Sequence, residues 1–402
     1  MTPLAGLTVL DFSRVLAGPM ATQILAELGA EVIKVERPRT GDESRQWEPM
    51  VPHAGDGAGG VPESAYFFAF NRGKRSITLN LKSPAAQGIA RSLAQRADVV
   101  VENFLPGDMD RMGLGYAALA AGNPRLVYVS NTGFGQDGPY RDRKGYDTIF
   151  QALSGVMALT GSQDGPPAKV GVPFADLTSG LWIAVGVLAG LAGRGVSSRG
   201  CHIDVAMLDA QVSLLTIAAA RLFALKQEPV RTGTEHPGRV PSAAFLCRDG
   251  VWLHISGSDQ HWAAICAVLG LPDLAADAAL ARNAGRVAGR NRVMAAMSAA
   301  IAGWDRAPLA EALRAADVPA GEVNSVGEIL SDPHTAARGL VGSFDHPTAG
   351  TFPALRLPMR EAGHGPPALG TPPLLGADTD AVLMGLGLDA AAIAALRAEG
   401  AV

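Results

Sequence analysis

The sequence predicts an α/β fold built on a mostly parallel sheet, and three observations predict it. Short β-branched and apolar runs, such as LTVLDF (7–12) and EVIKVERP (31–38), alternate with stretches whose apolar residues recur at helical spacing, such as MATQILAELGA (20–30). The first strand–turn–helix–strand unit takes about 30 residues, the length of a parallel crossover. Four strand–helix alternations precede Asp176, so the first half of the chain reads as one α/β domain.

In order, the turn SRVLAGP (13–19) leads from the first strand into a helix, with Pro19 suited to its first position. The second strand ends at Glu36, where a dinucleotide-binding domain places its ribose-binding acid. The preceding turn lacks G-x-G-x-x-G, so its backbone is not shaped to wrap a pyrophosphate in that way, and an NAD-dependent oxidoreductase is disfavoured. Residues 42–63 are polar and rich in Gly and Pro and read as a long surface loop. The strand in FNRGKRSITLNLKSP carries Arg72, Lys74, Arg75 and Lys82, which form either a solvated basic edge or a phosphate dock. A helix over Pro84–Arg96 follows, then the strands ADVVVENF (97–104) and PRLVYVS (124–130). Asn103 and Phe104 fall at a strand's carboxyl end, where open α/β sheets bind ligands.

The segment GVPFADLTSG (171–180) sets Asp176 just ahead of an apolar run from Leu181 to Ala192. That run is shorter than the roughly 20 residues that span a bilayer, so a helix buried in a soluble domain is expected. Asp176 is then either an N-terminal cap or a reactive carboxylate. The texture changes near residue 223. A strand pair around Arg248–Gly250 and a helix from Asp259 predict a second, smaller α+β domain. The expected division is 1–222, 223–320 and 321–402, the last a linker with two short helices capped near Asp378 and Asp389.

Composition narrows the function classes. The 402 residues are 48% apolar with a formal net charge of -4, which gives no global attraction to nucleic acid or anionic membrane. Three scattered cysteines and eight dispersed histidines make neither a disulfide framework nor a metal site, so no metal is expected. Met1 runs almost directly into a strand without a signal-peptide pattern, so the expected location is cytoplasmic, with a small-molecule partner and no membrane.

In this order and spacing, LTVLDFSRVLAGP, GAEVIKVERPRTGD, NRGKRSITLNLK, VENFLPGDMDRMGLGY, GVPFADLTSG and PPLLGADTDAVL resemble the class III CoA-transferases of the formyl-CoA transferase/carnitine dehydratase type. The resemblance covers nearly the whole chain. It implies a Rossmann-like large domain formed by both chain ends, an inserted small α+β domain and an interlocked ring-like homodimer. It implies acyl-CoA and a small carboxylic acid as substrates, with coenzyme A arriving as acyl-CoA and no permanently bound cofactor. Asp176 matches the nucleophile, which passes through an acyl–aspartyl anhydride and an aspartyl-CoA thioester, with backbone N–H groups at the helix start as oxyanion donors.

The positions matching CoA contacts are Val15, Ala17, Arg37, Asn103, Phe104, Arg111, Met112, Lys144, Tyr146 and Met207, with Arg75 as a further phosphate candidate. Arginine and lysine suit phosphates, and Phe104, Met112 and Met207 suit adenine or pantetheine. Arg14 is a candidate for an acceptor carboxylate. Leu16 stands where the formyl-CoA:oxalate enzymes carry Gln, and residues 240–246 lack those enzymes' glycine run, so oxalate is disfavoured. An α-methylacyl-CoA racemase of the same fold needs two acid/base groups. It carries His where this chain has Tyr146, whose ordinary pKa near 10 makes a poor shuttle at neutral pH. A non-enzymatic CoA-binding regulator would keep the basic and apolar contacts without needing Asp176.

Overall fold

The computed structural model describes residues 2–54 and 62–402. The chain divides into two compact units. The first comprises Met1–Val156, Lys169–Ala220 and Pro333–Val402; the second comprises Met157–Ala168 and Arg221–Asp332. The second unit therefore runs past the 223–320 expected for it and takes in a short earlier segment.

Six parallel strands organise the first unit: β1 (Thr8–Asp11), β2 (Glu31–Glu36), β3 (Arg75–Thr78), β4 (Val99–Glu102), β5 (Val127–Thr132) and β6 (His202–Ala206). Their spatial order, β3-β2-β1-β4-β5-β6, is that of a doubly wound nucleotide-binding sheet, and it reverses direction between β1 and β4. Successive side chains on a strand point to opposite faces, so each strand feeds two cores. Val9, Val32, Val99, Val127 and Val129 pack under α1 (Ala17–Glu27) and against Ile183, Ala184 and Val187. Leu10, Ile33, Ile77, Val100 and Tyr128 pack under α2 (Pro84–Arg96), beside Val382, Leu383 and Ile393 from the chain's end.

The two C-terminal helices, Thr379–Gly385 and Ala390–Ala398, thus rest on the large unit's core. Asp389 caps the second through Ala392 N–H (2.8 Å). Asp378, in contrast, turns its carboxylate to the edge strand, accepting from Ser76 N–H (2.9 Å), while Asn80 N–H donates to the Ala401 carbonyl (2.8 Å). The chain end therefore covers the open edge at β3, which would otherwise present unpaired backbone groups.

Of the expected 42–63 loop, residues 43–46 form a short 3-10 turn, and Met50–Val51 pairs antiparallel with Glu63–Ser64. Residues 55–61 of that loop lie outside the described residues. In the second unit, β7 (Ser242–Leu246), β8 (Trp252–Ser256) and β9 (Ala320–Glu322) form an antiparallel sheet in the order β9-β8-β7 over a core that includes Trp262, Ile265, Val293, Met297, Leu309 and Leu313. Hairpin strands β10 (Val341–His346) and β11 (Gly350–Leu355) belong to the first unit, with Phe344 edge-on to Phe68 at 5.6 Å between ring centres.

Beneath the carboxyl ends of β1 and β2 lies a charged cluster closed to solvent. Lys34 pairs with Asp42 at 2.9 Å and Lys74 with Asp11 at 3.1 Å, all four side chains at 0% exposure. Buried charges persist only when paired and fully hydrogen-bonded. Lys34 also donates to the Ser13 carbonyl (2.9 Å), and Lys74 to the Asn71 and Pro19 oxygens (2.9 and 3.0 Å).

Removing one partner strands the other. Lys34→Met should lower unfolding free energy by about 3–5 kcal/mol, read from urea titrations of the full chain; an unchanged midpoint would show the pair to be energetically neutral. The pH dependence has a defined sign. Burial opposes the Asp42 charge, yet Lys34 and the Ser44 donors outweigh it and hold its pKa at about 2. Its contribution is therefore complete above the ordinary aspartate range and lost as pH falls towards 2, and Asp42→Asn should remove that acid sensitivity.

Candidate active site

A cavity of about 510 Å³ opens at the point where the strand order reverses. Its walls come from the carboxyl ends of four strands: Phe12 and Arg14 after β1, Arg37 after β2, Leu79 to Lys82 after β3, and Phe104 with Arg111 and Met112 after β4. This is where open α/β sheets hold nucleotide ligands. Cations and apolar surface share the walls, as a phosphate-bearing ligand with an aromatic base requires.

The turn after β1 is held from three sides. Val15 adopts φ +72°, a left-handed conformation disfavoured for a β-branched residue. Its N–H donates to both Asp42 carboxylate oxygens at 3.2 Å. Asn103 clasps the neighbouring peptide, accepting from Arg14 N–H (3.0 Å) and donating to the Arg14 carbonyl (2.8 Å). Gln, Ser or Ala at 103 lacks this two-way reach. The Arg14 guanidinium then lies over the Phe104 ring at 5.1 Å.

Glu36 cannot serve a ribose. It is 4% exposed, and its oxygens accept from Arg45 (2.7 and 2.8 Å), Ser76 Oγ (2.6 Å) and Asp42 N–H (3.0 Å). Burial raises its pKa, but the Arg45 pairing outweighs burial and the net shift is downward. The residue that suggested a dinucleotide site is structural.

The second centre lies at the start of α4 (Phe174–Ser197), a 24-residue helix longer than the apolar run that signalled it. Ala175, Ser179, Ile183 and Val187 form one buried stripe with Gly180 and Ala184. Gly180 lies against α1: a Cβ there would stand 2.9 Å from the Ala17 carbonyl. The two helix starts are therefore brought together, and with them the Val15–Ala17 turn and the first turn of α4. The helix is not enclosed as expected, because Leu181, Trp182 and Val185 are 52%, 46% and 51% exposed.

Asp176 occupies the first turn of α4 but does not cap it. That task falls to Asp147, which opens α3 (Asp147–Leu153) and accepts from Ala175 N–H (2.7 Å) and Asp176 N–H (3.2 Å). Gln151 fixes Asp147 through the other oxygen (2.6 Å) and itself accepts from Val170 N–H (2.8 Å). The helix-start donors expected to serve an oxyanion are thus already engaged. Gln211 of α5 (Met207–Val212), fully buried, donates to Thr178 Oγ1 (2.6 Å) and braces the same turn.

No Lys, Arg or His among the described residues pairs with Asp176 or Asp147. The Asp176 carboxyl is pushed up to about 7, first by burial and second by the Asp147 charge. The Tyr66 hydroxyl is also pushed up, by burial and by both carboxylates, and stays a protonated donor. Neither Asp147 nor Tyr66 stood out in the sequence; the only local signal for Asp147 was its place in KGYD, ahead of a helix.

The other sequence candidates are placed as follows. Arg14, Arg37, Phe104, Arg111 and Met112 gather around the cavity; Val15, Ala17 and Asn103 shape its turn. Leu16 is a core residue at 1% exposure, without a face to offer a substrate. Arg14 lines the cavity at the strand-order reversal. Lys144 and Tyr146 are exposed just before Asp147, Tyr146 at 79%. Met207 begins α5, four residues from Gln211. Arg75 stands away from the cavity at the amino end of β3, paired with Glu31 (2.6 Å) and Asp378 (3.3 Å). Of the basic cluster Arg72, Lys74, Arg75 and Lys82, only Lys82 lines the cavity, while Arg72 pairs with Glu27 (2.7 Å). Among the described residues no group of ligating side chains could hold a metal ion.

Fold and site define a doubly wound α/β protein with a cavity at the reversal of strand order and a carboxylate of raised pKa at a helix start. CoA-transferase family III matches residues 4–379, and the chain belongs to that family. It is 39% identical over 387 residues to the mouse succinyl-CoA:glutarate CoA-transferase, covering 95% of this chain and 86% of that one. It is 40% identical over 340 residues to the acetyl-CoA:oxalate CoA-transferase of Acetobacter aceti, covering 84% and 85%. A solved CAIB/BAIF family protein from Brucella suis superposes with TM-score 0.85 at 38% identity, covering 96% and 99%. The protein is a CoA-transferase.

A reaction that needs Asp176 ionised, with its pKa near 7, rises with pH. The kcat/KM profile should climb through about pH 7. Asp147→Asn removes the like charge and should move that inflection to lower pH; an unmoved inflection would assign the shift to burial alone.

Proposed function

We propose that this enzyme moves CoA from succinyl-CoA to a short dicarboxylic acid through covalent intermediates on Asp176. The observation that carries the proposal is a half-buried carboxylate at the start of α4, with no cation and a second carboxylate at its back. Such a group is more basic than an ordinary carboxylate and correspondingly more nucleophilic, while a pKa near 7 leaves much of it ionised at neutral pH.

An Asp176 oxygen attacks the thioester carbonyl, the C–S bond breaks, and CoA leaves as its thiolate. The thiolate then attacks the Asp176 acyl carbon of the anhydride and releases succinate. The resulting aspartyl-CoA thioester is opened by the acceptor's carboxylate, again releasing thiolate. Attack of that thiolate on the acceptor's acyl carbon regenerates Asp176. The Tyr66 hydroxyl is a donor available to the developing charges, and Asp147 keeps the turn rigid while its N–H groups are engaged. The cavity at the strand-order reversal takes the nucleotide end of CoA.

The name of the mouse relative supports a succinyl donor and a dicarboxylate acceptor. Oxalate stays in the acceptor panel, because a relative of 40% identity carries it in its name despite the apolar Leu16 here. The exposed face of α4, with Leu181, Trp182, Val185 and Leu188, is apolar. By length and composition α4 and the stretch Met207–Leu225 are apolar enough to cross a bilayer. However, α4 carries a full stripe against the sheet and packs Gly180 on a backbone carbonyl, as a core helix does. We assign its outer face to a homodimer. A reducing, cytoplasmic setting fits three free thiols.

Two measurements follow. Protein mixed with succinyl-CoA and quenched with hydroxylamine should carry one hydroxamate, mapped to the Asp176 peptide and absent in Asp176→Ala. Absence of label with every acyl-CoA donor, alongside α-proton exchange of a 2-methylacyl-CoA, would instead establish the racemase. Light scattering should return twice the 41.4 kDa chain mass; a monomer would refute the dimer.

A further inference from the structure

The cations of the cavity are not idle in this structure. Arg14 and Arg37, on opposite sides of the turn, both donate to a single oxygen, Glu43 Oε1, at 2.8 and 3.2 Å. Arg111 is likewise paired, with Asp108. Lys82 has no carboxylate partner among the described residues. The guanidinium of Arg14 also keeps unused capacity, because its Nε is buried without an acceptor.

The backbone carrying Glu43 is fixed. Its neighbour Asp42 is locked to Lys34, and Arg45 is locked to Glu36 (2.7 Å). The Glu43 side chain itself is 41% exposed, so it can rotate away while the strap stays in place. Two like charges facing one cavity repel each other unless an anion lies between them. Glu43 is that anion here, yet it does not line the cavity floor.

We propose that Glu43 is a resident counter-ion of the CoA phosphate site. Its carboxylate holds Arg14 and Arg37 in position, and phosphate oxygens of CoA displace it from both. The inference rests on the reading of this cavity as the CoA site. Binding then exchanges one anion for another and yields less free energy than filling an unpaired site. Glu43 thereby lowers CoA affinity and speeds release of the CoA-bearing product, while preserving arginine geometry between turnovers.

The test is calorimetric binding of free CoA to the full chain. Glu43→Gln keeps the side chain's size and removes its charge. It should tighten CoA binding about three- to fivefold at low salt, as expected for a partly exposed charge contact. The gain should shrink near 0.5 M NaCl as screening shortens to a few ångströms. Pantetheine, which carries no phosphate, should bind both proteins alike, and Arg37→Gln should weaken CoA binding. A matched thermal midpoint for Glu43→Gln controls for folding. Wild-type binding of CoA with an unchanged or weaker Glu43→Gln overturns the counter-ion role alone. Failure of the wild type to bind CoA overturns the cavity reading and the counter-ion role with it.

Discussion

The buried Lys34–Asp42 pair is the contact on which the rest of the cavity side depends. Lys34 sits mid-strand on β2, in register with Asp11 of β1 and Ser76 of β3, and its charge persists there because Asp42 returns over it at 2.9 Å. The same carboxylate accepts the Val15 N–H, and the same ammonium donates to the Ser13 carbonyl. One ion pair thus fixes both ends of a turn whose central residue has a disfavoured backbone conformation. A flexible glycine loop would reach the same shape with a larger loss of conformational entropy on ordering. The turn is rigid because its cost is met by charges that water does not screen.

A comparable arrangement surrounds Asp176. Asp147 makes the capping contacts that Asp176 would otherwise make, which leaves the Asp176 carboxylate free of them. The same contact places a second negative charge behind it and, together with burial, lifts its pKa to about 7. Gln151 and Gln211 brace the two sides of this turn. Close approach at Gly180 sets the α4 start beside the α1 start, so Asp176 and the β1 turn share one region of the first unit. The raised pKa comes from what surrounds an ordinary aspartate.

Much of the fold was legible in the sequence. The strand segments of the sheet other than β6, the helix Pro84–Arg96 and the strand pair around 248–250 all follow from hydrophobic period and turn residues. The second unit's edges were not legible, because 321–332 and 157–168 carry no compositional break; packing decides where they belong. Of the candidates named from motif order, Arg37, Phe104, Arg111 and Met112 line the cavity, and Asp176 lies in the first turn of α4. Arg75 could not be told from Lys82, since both are basic residues flanking one strand; which end of the strand each occupies separates an ion pair with Glu31 and Asp378 from a place in the cavity wall.

By itself the sequence determined the alternating strands and helices and the family, and it singled out Asp176. Each of these is written in local order: a period of two or about 3.6, or a run of motifs in fixed succession. Tertiary structure alone decided which charges neutralise one another. Lys34 meets Asp42, Glu43 meets Arg14 and Arg37, and Asp147 meets the backbone of Asp176 across 29 residues. Such pairings depend on distance in space and on exclusion of water, since the same two charges attract far more strongly inside a protein than in bulk solvent. Neither quantity is encoded in spacing along the chain.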